Sequence, residues 1–149
     1  MSEYLDASVV VKWFKKEEDF SEEALRIRDR VINFDTEFVM SYYGLLETVR
    51  ALVKSNFPKD EIEDSFQNLH DFYDIGALKN VNVNDVIFLA KEVEIELNLY
   101  AGDALHVASA INHGCDIIWS ADDHHLKDKT KDFLKRYNME SKHPSQLDI

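Results

Sequence analysis

Apolar positions along the chain recur with a helical period in five places. Ala24, Ile27, Val31 and Phe34 lie three or four residues apart, which places them on one face of a helix. The same spacing links Leu45, Val49 and Leu52; then Ile62, Phe66, Leu69 and Tyr73; then Val86, Ala90, Val93 and Leu97; then Ala104, Val107, Ala108 and Ile111. Boundary signals agree with these stripes. Ser21 followed by Glu22 and Glu23 suits a helix start, because a hydroxyl and two anions satisfy the free N–H groups and the dipole there. Ser41 precedes the second stripe, Pro58 stands near the first turn of the third, and Gly114 closes the fifth. Residues 124–135 predict a short sixth helix.

Short apolar runs separate the helices: "EYLD" at 3–6, "EFVM" at 37–40, "ALKNV" at 77–81, "DIIWS" at 116–120, and a further one around Tyr137 to Met139. Strand and helix therefore alternate, which predicts an α/β fold with a parallel sheet and helices on both faces. Ligands of such sheets bind outside the carboxyl ends of the strands. The residues that matter are those just after each strand and at the next helix start.

Four acids fall in or near such places. Asp6 closes the first strand, Asp122 follows the fourth, Asp103 stands in the first turn of the fifth helix, and Glu47 lies within the second. Each has an ordinary explanation alone. Asp6 and Asp122 suit N-caps, Asp103 suits a helix dipole, and Glu47 could pair with Arg50. Gathered at one sheet edge, they would repel, since one carboxylate pair ~4 Å apart costs about 4 kcal/mol at an effective dielectric near 20. A fold tolerates that only when protons or cations compensate, and an all-oxygen set suits Mg²⁺ or Mn²⁺.

Composition narrows the setting. The 149 residues are 45% apolar, enough for one core, and predict a single domain over 1–149. No apolar run approaches the ~20 residues needed to cross a bilayer, and the N-terminus lacks a basic leader segment. With Cys115 as the one cysteine, these features predict a cytoplasmic location without membrane association. The formal charge of −12 argues against a general nucleic-acid binder. The charge is uneven, however. Residues 17–37 and 59–74 are acidic, whereas 127–143 lean basic through Lys127, Lys129, Lys131, Lys135, Arg136 and Lys142. A basic edge could guide a polyanion, and the acidic faces could bind a cationic partner.

The order "YLDASVVVKWF", "LLETVRAL", "GDALHVASAINHGCDIIWSADDHHL" resembles the PIN-domain family, and within it the small stand-alone toxin ribonucleases of VapC type. The resemblance covers nearly the whole chain. It implies a three-layer α/β/α sandwich with a central parallel sheet, and Mg²⁺- or Mn²⁺-dependent cleavage of RNA. It also implies a homodimer, and a small antitoxin whose tail enters the acidic groove. By position, the acids it assigns are Asp6, Glu47, Asp103 and Asp122, with Asp123 as the neighbouring alternative to the last. Asp6 and Asp103 are expected to meet a metal directly, and Glu47 and Asp122 to complete the shell. Ser8 and Ser120 match small hydroxyl positions that support the acids. One departure stands out: His125 precedes Leu126 where many relatives place an acid.

The remaining polar residues carry weaker expectations. His106, three residues after Asp103, can reach the acids and orient Asp103. His124 and His125 are read as a hydrated loop pair, because the chain lacks the spaced Cys/His set of a structural zinc site. Trp13 and Phe14 are expected in the core. Two other classes stay open, a non-catalytic PIN-like scaffold and a Rossmann-like phosphohydrolase with Asp6 as nucleophile. The second is weakened by Ser8, where an aspartate would be needed. A dinucleotide-binding fold is poorer still, because no G-x-G-x-x-G follows the first strand.

Overall fold

The computed structural model describes residues 1–148. Five strands form one all-parallel sheet: β1 (Ser2–Leu5), β2 (Glu37–Val39), β3 (Leu78–Lys79), β4 (Ile117–Trp119) and β5 (Glu140–Lys142), in the order β3-β2-β1-β4-β5. Register is fixed across the centre, with Tyr4 opposite Val39 on one side and Ile118 on the other. Parallel neighbours need crossover connections, and helices supply most of them. They are α1 (Ala7–Val10), α2 (Ser21–Ile32), α3 (Tyr43–Lys54), α4 (Lys59–Asp74), α5 (Val83–Leu97), α6 (Ala101–His113), α7 (Asp123–Leu126) and α8 (Asp128–Lys135).

Side-chain alternation along the strands splits the interior into two layers. Tyr4, Val39 and Ile118 face a core with Val86, Ala90 and Val93 of α5, Val107 and Ala108 of α6, and Leu134 of α8. Leu5, Phe38 and Trp119, one residue away on the same strands, face the opposite core with Val9, Trp13, Ile27, Leu45 and Leu69. This is the expected three-layer α/β/α sandwich, with α5, α6 and α8 on one side and α1 to α4 on the other. Trp13 and Phe14 both belong to the second core, as expected.

One element was not anticipated, and two expectations need correction. A four-residue helix, α1, follows β1 and runs into a single 3-10 turn at Val11–Trp13. The sixth helix divides in two, because Lys127 is extended (φ −69°, ψ 155°) and separates α7 from α8. The last strand begins at Glu140 and not at Tyr137, since Asn138 sits in the left-handed region (φ 57°) and turns the chain back after α8.

The strand order determines where a ligand fits. From β1 the chain moves outward to β2 and β3, then returns to the other side for β4 and β5. The switch point therefore lies between the carboxyl ends of β1 and β4, the place where open parallel sheets bind ligands.

Candidate metal centre

Two strand ends build the floor of the switch point. The Asp6 N–H bonds the Trp119 carbonyl at 2.9 Å, which continues the β1–β4 pairing by one residue. Asp6 then caps α1 by accepting the Ser8 N–H at 3.0 Å. Pairing and capping together fix its carboxyl group, which is almost fully buried. Beyond β4, the Ser120 N–H bonds the Lys142 carbonyl of β5 at 3.0 Å. The Ser120 hydroxyl accepts the Asp122 N–H at 3.0 Å, and the Ser8 hydroxyl accepts the Ala121 N–H at 2.9 Å. The two serines thus stitch the loops after β1 and β4 to each other. Asp122 caps α7, accepting the His124 N–H at 2.8 Å.

Helices supply the walls. Asp103 stands in the first turn of α6, where the dipole favours an anion. Glu47 projects from α3. A Cβ on Gly102 would lie 2.9 Å from the Tyr43 ring and 3.2 Å from the Glu47 carboxylate, so a side chain there would push these two groups from their present positions. The result is a cleft of 780 Å³ that contains Asp6, Glu47, Asp103 and Asp122, with Ser8, Tyr43, Arg50 and Lys54 around them. Asp123 is exposed and does not line it.

Within the cleft the ligand-type atoms form two groups. Asp6, Glu47 and His106 each bring one such atom within 4.8 Å of the others, and so do Asp103, Asp122 and His124. Asp6 is therefore grouped with Glu47, and Asp103 with Asp122, all four within the same cleft. His125 lies between the groups, 3.9 Å from a carboxylate oxygen of each of Asp6 and Asp103.

The electrostatics of the two groups differ. Burial pushes the Asp6 carboxyl upward, but His125, His106 and the Ser8 hydrogen bonds outweigh it and hold the pKa below the usual range. Asp103 goes the other way: burial, then the charge of Asp122, raises its pKa. His106 binds its proton more tightly than a free histidine. Burial opposes this, but the Glu47 hydrogen bond and the charge of Asp6 prevail. A protonated His106 therefore offsets part of the carboxylate charge.

A family model of the PIN domain matches residues 4–131. The chain belongs to the PIN domain family. No curated protein matches it. Among solved structures, a chain in the crystal structure of VapBC2 from Rickettsia felis, bound to a DNA fragment from its promoter, superposes with a TM-score of 0.60. The two are 17% identical, over 96% of this chain and 98% of that one. At that identity the likeness concerns the fold.

This PIN domain departs from the sequence reading in its histidines. His125 is fully buried, with Nδ1 2.9 Å from the Ser120 hydroxyl and Nε2 3.2 Å from the Asp103 carbonyl oxygen. It is a packed interior residue of α7 and not a hydrated loop residue. The one signal was its place directly before Leu126, where the chain departs from the expected PIN-type pattern. His106 meets Glu47 through Nε2, whereas its expected partner was Asp103. Arg50 and Lys54 were missed as cleft residues. Tyr43, Glu47, Arg50, Ala51 and Lys54 all line the cleft, and their spacing of three and four is that of one helical face. Among the described residues, Arg50 makes no ion pair with Glu47.

Proposed function

We propose that the chain is a metal-dependent ribonuclease that hydrolyses phosphodiester bonds, and that it is the toxin of a toxin–antitoxin pair. One observation carries the reading: four acids distant in sequence line a single cleft at the switch point of a PIN domain. The donor set fits a hard divalent cation, because it is dominated by carboxylate oxygens, one of them on a buried and rigid backbone. Asp6, Glu47, Asp103 and Asp122 would hold Mg²⁺ or Mn²⁺, which supplies a water of lowered pKa and neutralises charge at the phosphate.

The chain's own residues prepare the site for that chemistry. Ser8 and Ser120 keep the two loops, and so the carboxylates of Asp6 and Asp122, at fixed separation. Arg50 and Lys54 lie on the same helical face as Glu47 and attract the phosphates flanking the scissile bond. Tyr43 offers a ring face to an unstacked base. No covalent intermediate with the protein is required.

Partners follow from the same surfaces. The VapC-type motifs and the likeness to a VapBC2 chain support an antitoxin, and the net charge of −12 suits a cationic segment entering the acidic cleft. A homodimer is supported by α5, where Ile87, Phe88 and Ile95 are exposed and line an apolar pocket of 570 Å³. None of the helices of residues 1–148 is long and apolar enough to cross a membrane, and we place the protein in the cytoplasm. Incubation of purified protein with RNA, with Mn²⁺ or with EDTA, tests the activity. Asp6→Asn is expected to abolish metal-dependent cleavage while its circular dichroism stays unchanged. Cleavage retained by that variant would remove Asp6 from the mechanism.

A further inference from the structure

Glu47 is the least anchored of the four acids by its own chemistry. It sits on a long side chain, its carboxyl group is partly exposed, and its helix lies outside the β1–β4 junction. A buried chain of hydrogen bonds compensates. The Ser41 N–H, just beyond β2, donates to the Tyr4 hydroxyl oxygen at 3.0 Å. The Tyr4 hydroxyl lies 2.6 Å from Nδ1 of His106, and Nε2 of His106 meets the Glu47 carboxylate. Ser41, Tyr4 and His106 are all completely buried. Nε2 also lies 3.7 Å from the Asp6 carboxylate, beyond hydrogen-bond distance.

The direction of this chain determines what His106 can do. A hydrogen-bond contact between Nε2 and a carboxylate requires a hydrogen on Nε2, because a carboxylate only accepts. The Tyr4 hydroxyl satisfies the other nitrogen. A neutral ring receives the phenolic hydrogen at Nδ1, and a charged ring donates from Nδ1 to the phenolic oxygen. In these two states Nε2 carries a hydrogen and faces Glu47 as a donor, and only a neutral ring with its hydrogen on Nδ1 would free Nε2 for a metal. We propose that Tyr4 and His106 are positioning residues that aim Glu47 into the metal shell, with His106 a donor to that ligand and not a ligand itself. The inference rests on the metal-site reading above.

Calorimetric titration of the metal-free protein with Mn²⁺ tests it. Tyr4→Phe and His106→Ala are each expected to raise the Mn²⁺ Kd about 10- to 100-fold, the usual effect of losing a partner that orients a ligand. His106→Gln, whose amide can donate to Glu47, should recover most of that loss, and it guards against a His106→Ala chain that fails to fold. Long-range ¹⁵N–¹H correlation of histidine-labelled protein gives a second readout. Nε2 of His106 should carry its hydrogen both without metal and with saturating Mg²⁺. Loss of that hydrogen on adding Mg²⁺ would make His106 a ligand and overturn the inference. So would a Tyr4→Phe variant that binds Mn²⁺ as tightly as the wild type. A wild-type chain that binds no Mn²⁺ overturns the metal-site reading itself, and this inference with it.

Discussion

Replacing Asp103 by Asn removes one charge from a crowded cleft. Asp103 and Asp122 offer oxygens within 4.8 Å of each other. At that distance, and at an effective dielectric near 20, the repulsion is about 3.5 kcal/mol. Two effects reduce it. Solvent reaches both carboxylates and screens them, as at other partly exposed pairs. The first turn of α6 also favours an anion, by about 0.3–1 kcal/mol. A net gain of about 1 kcal/mol should remain at neutral pH, equivalent to about 0.5 M in urea midpoint for a protein of this size. The sign follows from the raised pKa of Asp103. A carboxyl whose folded pKa exceeds its unfolded value loses stability as pH rises through that interval, and the loss persists at pH 7. The assay is urea denaturation in EDTA and again in Mn²⁺. In EDTA the variant should be the more stable protein, and its pH dependence above pH 4 should be flatter. In Mn²⁺ the order should invert, because only the wild type gains about 2.7 kcal/mol at a hundredfold excess over Kd. A variant less stable than wild type in EDTA, or equally stabilised by Mn²⁺, refutes the reasoning.

Three further outcomes follow from other parts of the molecule. Glu3 is buried on β1 and holds Arg30 through two hydrogen bonds of 2.9 and 2.6 Å, with the Trp119 indole N–H on the same carboxylate. Arg30→Ala should therefore cost about 3 kcal/mol, the low end for a broken buried pair because the indole remains; denaturation at pH 7 measures it, and RNA cleavage should be unaffected below the melting range. Burial, with the charges of Glu37, Asp116 and Glu3, pushes the Cys115 thiol up to about 12, so it should react with a disulfide reagent only after unfolding. On the proposed homodimer through α5, Phe88→Asp should lower the mass seen by light scattering to that of a monomer, and an unchanged dimeric mass would remove α5 as the interface.

Much of this could be read in the sequence, for identifiable reasons. Helices announced themselves by period, and strand ends by an apolar run meeting an acid, so the positions of Asp6 and Asp122 at the sheet edge followed from pattern. What escaped was polar chemistry that looks apolar, or apolar placement that looks polar. Tyr4 reads as one more strand residue, yet its hydroxyl joins Ser41 to His106. His125 reads as loop, yet Ser120 and the Asp103 carbonyl oxygen hold it inside the fold. Helix α1 escaped because four residues are too few for a period to show. The division at Lys127 escaped because no proline or glycine marks it. The grouping of the acids depends on how far α3 and α6 lean together over Gly102, and spacing along a chain does not encode that.

The middle strand of the sheet precedes the other four in the chain, and its neighbour β4 comes 114 residues later, counted from Glu3 to its register partner Ile117. A ribosome therefore releases Asp6 long before Asp103 and Asp122 exist, and β5, which braces Ser120, later still. A product that ends before β4 lacks Asp122 and cannot complete the cleft. The pairing of β1 with β4 is thus the step on which assembly of the cleft waits.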